Sequence, residues 1–329
     1  MSYLSNFSHI YIEDRAKNYK LTKEILDKLD SKIISINHYK DVFNRYNQDY
    51  RLQKNSMKLI LAVKESNFLY EASSLIQTQN YQNFFYTPTI LNCIYDCHYC
   101  FLQGMYPSSN IVLFVNIEDF FDEVEKKLKT LNRMFLSISY DTDILAFEKL
   151  FGISKKWIEF SQNFNNLELE IRTKSVNYKT IKNLEFNRNI HINWTLSPEE
   201  VVARFEDKTP SLDARLKSIK SALDDNRRVN LVIDPVVKID NYKNKYSDFF
   251  KEIDEYLSLE RVESFIIGVF RISNQYLKKI KKSNLDSEIV FYPYKIDNQV
   301  ASYADSDEIL DFIIKELLKY VKRDKILTL

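Results

Sequence analysis

Apolar positions along this chain change period repeatedly, and the changes predict strands alternating with helices. Leu21, Ile25 and Leu29 recur every four residues across 18–29, which makes one face of a helix. Short apolar runs flank it, HIYI at 9–12 and IISI at 33–36, so the opening reads as a small βαβ unit. A polar, aromatic stretch from 37 then ends in the strand-like LILAV at 59–63, and the whole segment reads as a cap packed on a larger domain. Downstream the rhythm becomes regular. Apolar runs at 111–115, 134–139, 167–173, 190–196, 229–237 and 263–270 are each followed by a helical pattern, and a last helix is predicted over 305–325 with Ile309, Phe312, Ile313, Leu317 and Tyr320 inward.

Six strands alternating with helices imply a parallel sheet, and right-handed crossovers curl such units into a barrel or part of one. Ligand sites in that architecture sit at the carboxyl ends of the strands. This points to 140–143, 172–174, 195–197, Asp234 and Arg271. No repeats or low-complexity linkers occur, and the one boundary the pattern offers lies near residue 85. It divides the chain into a cap segment, 1–85, and a larger unit, 86–329.

The composition is that of an ordinary globular chain, with 45% hydrophobic and 28% charged residues in 329. No apolar run is long enough to span a membrane, and the start MSYLSNFSHIYIED lacks a basic-then-apolar signal, so a cytoplasmic protein is expected. Lysine and arginine number 47 against 46 acidic residues, so any nucleic-acid contact needs a local basic patch. Only 3 glycines are present, which excludes a glycine-rich phosphate loop.

All 3 cysteines fall in one stretch, LNCIYDCHYCFLQGM, as Cys93, Cys97 and Cys100. Three thiolates in a CxxxCxxC spacing suit an iron-sulfur cluster, and a 4Fe-4S cluster with three protein ligands keeps one iron open. That iron can chelate the amino and carboxylate groups of S-adenosylmethionine (SAM) and split it reductively, leaving the protein to position the reacting atoms. Two other readings stand beside this one: a zinc site recruiting His98, and three unrelated buried thiols.

Four segments together resemble the spore photoproduct lyases of the radical SAM superfamily. They are NHYKDVFNRYNQDYRLQK at 37–54, FFYTPTILNCIYDCHYCFLQGMYPSSNIVLFVNIEDFF at 84–121, SISYDTDILAFEKLFG at 137–152 and TPSLDARLKSIKSA at 209–222. The resemblance implies an α/β fold, a partial (β/α)6 TIM-like barrel with a small N-terminal α/β segment. It also implies repair of a thymine dimer, 5-thyminyl-5,6-dihydrothymine, in ultraviolet-damaged DNA, through hydrogen abstraction by a 5′-deoxyadenosyl radical. Flavodoxin or ferredoxin would serve as the external electron donor. Carried over by position, Cys93, Cys97 and Cys100 bind the cluster, and Thr142, Lys174, Thr195 and Asp234 contact SAM. Tyr99 matches a family tyrosine near SAM, whereas the tyrosine that follows it in the family is Phe101 here.

Two departures qualify the resemblance. Where many members carry a hydrogen-donor cysteine this chain has Tyr140, and where a related branch places its donor it has Ile76, so Tyr140 or Tyr99 becomes the expected donor. The basic hairpin that some members insert into the duplex corresponds here to the short, mildly acidic FYPYKIDNQVASYADSDE. Phosphate contacts would then fall to Arg45, Arg51, Lys54, Arg271 or the run Lys278, Lys279, Lys281 and Lys282, with Tyr292 and Tyr294 free to stack on bases. Another nucleotide, RNA or peptide substrate is the alternative these departures leave open, and a cluster-bearing or zinc-bearing binding protein without catalysis is a third.

Overall fold

The computed structural model describes residues 7–72 and 83–329. Two sheets organise them. The first has five strands in the order Lys32–Ile36, His9–Glu13, Leu59–Ala62, Ile111–Phe114 and Ile90–Leu91, parallel except for the last pair. Two of its inner strands, LILA and IVLF, are apolar on both faces, and every residue of both is buried.

The second sheet curls into a half-barrel. Phe84–Tyr86, Met134–Ser137, Leu167–Thr173, Ile190–Thr195, Val229–Val236, Ser264–Val269 and Ile326–Thr328 lie side by side in chain order, all parallel, and Tyr70–Glu71 closes one edge antiparallel. The expected barrel is therefore present, with a changed strand list. The run at 111–115 belongs to the first sheet, and the three residues Phe84–Tyr86 take its place. A buried run such as IVLF carries no mark of which sheet receives it, and three residues are too few to show a period. The tail also differs: its helix ends at Leu317, and the chain beyond supplies a further strand. After Leu167–Thr173 only the short turn Asn177–Thr180 intervenes where a helix was expected.

The half-barrel interior is polar. Glu168 and His191 meet at 2.6 Å, Asn193 donates to Glu170 at 2.6 Å, Asn230 donates to Asn193 at 2.7 Å and Ser264 donates to Asn230 at 2.7 Å. Buried polar groups on four adjacent strands thus satisfy one another, which explains why LELEIRT alternates glutamates with apolar residues although both faces are buried.

Candidate active site

The strands' carboxyl ends open on a cleft of about 490 Å³ that is lined by Cys93, Cys97, Cys100, Tyr99, Tyr140, Thr142, Lys174, Thr195 and Asp234. The three candidate cluster ligands, the four candidate SAM contacts and the two candidate donors all line this one space.

The cysteine loop is shaped by the segments around it. Buried Asn92, in a left-handed conformation, donates to the carbonyls of Ser108 and Asn110 at 2.7 and 2.8 Å and accepts from the Tyr50 hydroxyl at 3.0 Å. Gln53 accepts from the Ser108 hydroxyl and the Ser109 amide, both at 3.0 Å. Lys54, only 3% exposed, donates to the carbonyls of Cys93 and Tyr95 at 2.6 Å each. The motif at 37–54 is therefore the wall that fixes the loop. Lys54 is consequently not available for DNA, and Arg51 is held by Asn284 at 2.7 Å. On the other side Gly104 packs so closely on Tyr276 that an added Cβ would stand 2.4 Å from the tyrosine's, so only glycine fits.

A second clamp comes from downstream. Asp96–Cys97 pairs antiparallel with Glu206–Asp207, and the His98 amide donates to the Phe205 carbonyl at 2.8 Å. Glu206 forms a buried ion pair with Arg215 at 2.6 Å and also accepts from the Tyr99 and Ser197 hydroxyls. Arg215 donates further to Thr209 at 2.6 Å and to the carbonyls of Pro210 and Thr195. The TPSLDAR stretch is thus a structural bracket for the loop. Sequence reasoning missed this role, because the pairing partners are distant in the chain. His98 is turned to Ser287 and Asp207, away from the thiols, which removes the zinc reading's fourth ligand.

The electrostatics suit a cationic metal and a polar ligand. Burial pushes all three thiols up, Cys93 to about 12, with Asp143 adding to the effect there. Thiolates at these positions therefore need a metal's positive charge to stay ionised. Among the described residues no three His, Cys, Asp or Glu side chains are grouped around a single ion. A multi-iron cluster holds each thiolate on a different iron, so its ligands stand farther apart than those of one ion. Thr142 has a buried hydroxyl without a hydrogen-bond partner although it lines the cleft, which is the condition of a group whose partner is a ligand. Lys174 lies 5.4 Å over the Tyr99 ring. Burial opposes its charge, but its anionic surroundings, Glu206 first, raise it on balance, so it stays an ammonium. Its amide donates to Asp143 at 2.6 Å, and Asp143 also takes the Thr173 hydroxyl at 2.7 Å, fixing the strand end. Asp234 sits 3.4 Å from Arg172, and Gly268 leaves it room: a Cβ there would stand 2.5 Å from its carboxylate.

The two expected donors differ. The Tyr99 hydroxyl is tied to Glu206, whereas the half-buried Tyr140 has no hydrogen-bond partner among the described residues and rests on Tyr86 and Phe101. Ile76 lies outside the described residues. The segment corresponding to the basic hairpin does form a hairpin, Lys295–Asp297 with Val300–Ser302, but only its first strand is exposed and it carries no basic cluster. Tyr292 and Tyr294 pack on Tyr303 at 4.8 and 5.3 Å, so these rings already have partners. Lys278, Lys279 and Lys282 are exposed on the helix Asn274–Ser283, whose Tyr276 lines the cleft. Among the described residues no helix is long and apolar enough to cross a membrane.

A half-barrel with three cysteines on one loop and a cleft at its strand ends defines a radical SAM enzyme. The chain belongs to the spore photoproduct lyase family, whose model matches residues 6–289. It is 23% identical to the spore photoproduct lyase of Bacillus subtilis (strain 168) over 251 residues, 74% of this chain and 72% of the relative. Against the Clostridium acetobutylicum enzyme the identity is 21% over 344 residues, covering 96% and 97% of the two chains. Among solved structures, a spore photoproduct lyase complexed with dinucleoside spore photoproduct superposes with a TM-score of 0.82 at 18% identity, covering 100% of this chain and 99% of that one. A variant with bound AdoMet and the same dinucleoside gives a TM-score of 0.81 at 18% identity, covering 99% and 98%.

Proposed function

We infer that this chain is a radical SAM lyase that reverses the spore photoproduct, a thymine dimer, in DNA. The family match over residues 6–289 carries the reading, and the cleft supplies residues for each task. Cys93, Cys97 and Cys100 would hold a 4Fe-4S cluster with one iron left to SAM. Lys174 pairs with the SAM carboxylate as a charge-assisted donor, while Thr142, Thr195 and Asp234 fix the remainder of the cofactor by hydrogen bonds. When bound, the cluster and SAM together supply the carbon radical that takes hydrogen from C6 of the lesion. Tyr140, which lines the cleft with its hydroxyl unengaged, returns a hydrogen to the thymine methylene. Tyr99 orients the loop through Glu206. An external one-electron donor such as flavodoxin or ferredoxin completes the cycle. Phosphates meet the lysine face of Asn274–Ser283 and Arg271 at the cleft mouth. The reading places the enzyme in the cytoplasm, where its DNA lies and thiols stay reduced.

The test is anaerobic reconstitution with iron and sulfide, reduction, and addition of SAM with a dinucleoside spore photoproduct. The expected products are 5′-deoxyadenosine and two thymines. Cleavage of SAM with an untouched lesion would favour a different nucleotide, RNA or peptide, a second reading supported by the tyrosine at the donor position. No cleavage at all would overturn the enzyme.

A further inference from the structure

Three tyrosine rings run in contact from the cleft to the surface. Tyr140 and Tyr86 both line the cleft, with centroids 4.4 Å apart. Tyr86 in turn stacks on Tyr70, its direct opposite across an antiparallel pair, at 5.2 Å and an interplanar angle of 16°. Tyr70 is 37% exposed, so the run reaches solvent. In the other direction Tyr140 meets Phe101 at 5.3 Å, and a phenylalanine has no O–H to pass on. The path from Tyr140 therefore leads outward rather than toward the cysteine loop. Phenylalanine would fill the same spaces without a hydroxyl to accommodate, so packing alone does not explain three phenols in series.

Beside this run lies a buried carboxylate that is bonded to Tyr106. Asp141 is 3% exposed, and its Oδ1 has no hydrogen-bond partner. Its charge raises Tyr70, Tyr86 and Tyr140 alike. Lys64 stands 5.8 Å over the Tyr70 ring at the outer end.

We propose that Tyr140, Tyr86 and Tyr70 form a relay that discharges a phenoxyl radical from the cleft to the surface. This rests on Tyr140 being the hydrogen donor. The thymine methylene radical takes the hydrogen atom of the Tyr140 hydroxyl: a C–H bond forms, an O–H bond breaks and Tyr140 is left as a phenoxyl. An electron then crosses from Tyr86 to Tyr140. The Tyr86 proton follows the electron to the Tyr140 oxygen, so one phenol is restored as the other becomes the phenoxyl. The same exchange moves the phenoxyl to Tyr70, and there a thiol gives up one hydrogen atom, restoring the phenol and becoming a thiyl radical. Exchange between like phenols is close to thermoneutral, so the reductant at the surface sets the direction. Each radical discharged this way leaves its 5′-deoxyadenosine behind, because no hydrogen returns to it.

The experiment follows single turnover on the dinucleoside spore photoproduct by freeze-quench electron paramagnetic resonance, with ring-deuterated tyrosine to identify the signal. It compares the unaltered enzyme with Tyr140→Phe, Tyr86→Phe and Tyr70→Phe, with and without added thiol. The expected result is that Tyr86→Phe forms thymine in its first turnover, keeps its phenoxyl several-fold longer, no longer responds to thiol and dies after several-fold fewer turnovers. Tyr70→Phe behaves likewise. If Tyr86→Phe matches the unaltered enzyme in phenoxyl lifetime and thiol response while Tyr140→Phe loses both thymine and signal, the relay is wrong and the donor stands. If Tyr140→Phe retains both, donor and relay fall together.

Discussion

The carboxylate of Glu206 and the guanidinium of Arg215 meet 2.6 Å apart with neither side chain exposed. Removing one member of such a pair strands a buried charge, at a cost of about 3–5 kcal/mol. Glu206 also carries the Tyr99 hydroxyl and pairs in strand register with Cys97. Arg215→Met should therefore lower stability by about that amount in a denaturant titration and reduce the iron bound per chain. The double change Arg215→Met with Glu206→Gln should recover part of the stability, since neither member of the pair is then left as a lone charge.

Lys54 should matter more to the metal than to the fold. Its ammonium satisfies two loop carbonyls next to the first cysteine, and losing charged hydrogen bonds of this kind costs about 1–3 kcal/mol. Lys54→Met should release iron to a chelator several-fold faster, as measured by absorbance. An unchanged release rate would show that the clamp is dispensable.

Thr142 offers a prediction of opposite signs. A buried hydroxyl without a partner is a liability until a ligand engages it. Thr142→Val should leave the metal-free chain as stable as before or slightly more so. Equilibrium binding of SAM to the cluster-loaded protein should weaken by roughly 1 kcal/mol, the worth of one hydrogen bond. Weaker folding with unchanged SAM affinity would contradict the assigned contact.

Asp141 ties stability to pH. Burial pushes its carboxyl from 3.8 up to about 7, against the opposing pull of Tyr106 and Lys64. Below the lower value both folded and unfolded chains carry the proton and the group is neutral in its effect. Between the two values only the folded chain holds it, so each rise in pH favours unfolding until the loss levels off above about 7. Asp141→Asn should therefore add nothing at the acid end and a few kcal/mol above neutrality. Melting curves of both proteins across this range decide the matter.

Much of this site is visible in the chain because its parts are local. CxxxCxxC is contiguous, and Lys174, Thr195 and Asp234 each lie at the end of a periodic run, where a parallel sheet presents its ligands. What is hidden depends on pairing across the chain. Nothing in IVLF says that Ile111–Phe114 returns to the first sheet, and nothing in Lys54 says that its ammonium is buried against the loop. The bracket of Glu206 and Arg215 is hidden for the same reason. Exposed, the same two residues would be an ordinary helix-end glutamate and a helix arginine.

The legs of the cysteine loop are the antiparallel strands Ile90–Leu91 and Ile111–Phe114, and Asn92 bonds across their base to Ser108 and Asn110. The chain closes this loop with its own bonds, so a molecule stripped by oxygen keeps an intact mould for the lost inorganic core. Such damaged molecules should be salvageable by resupplying iron and sulfide, with no need for fresh synthesis.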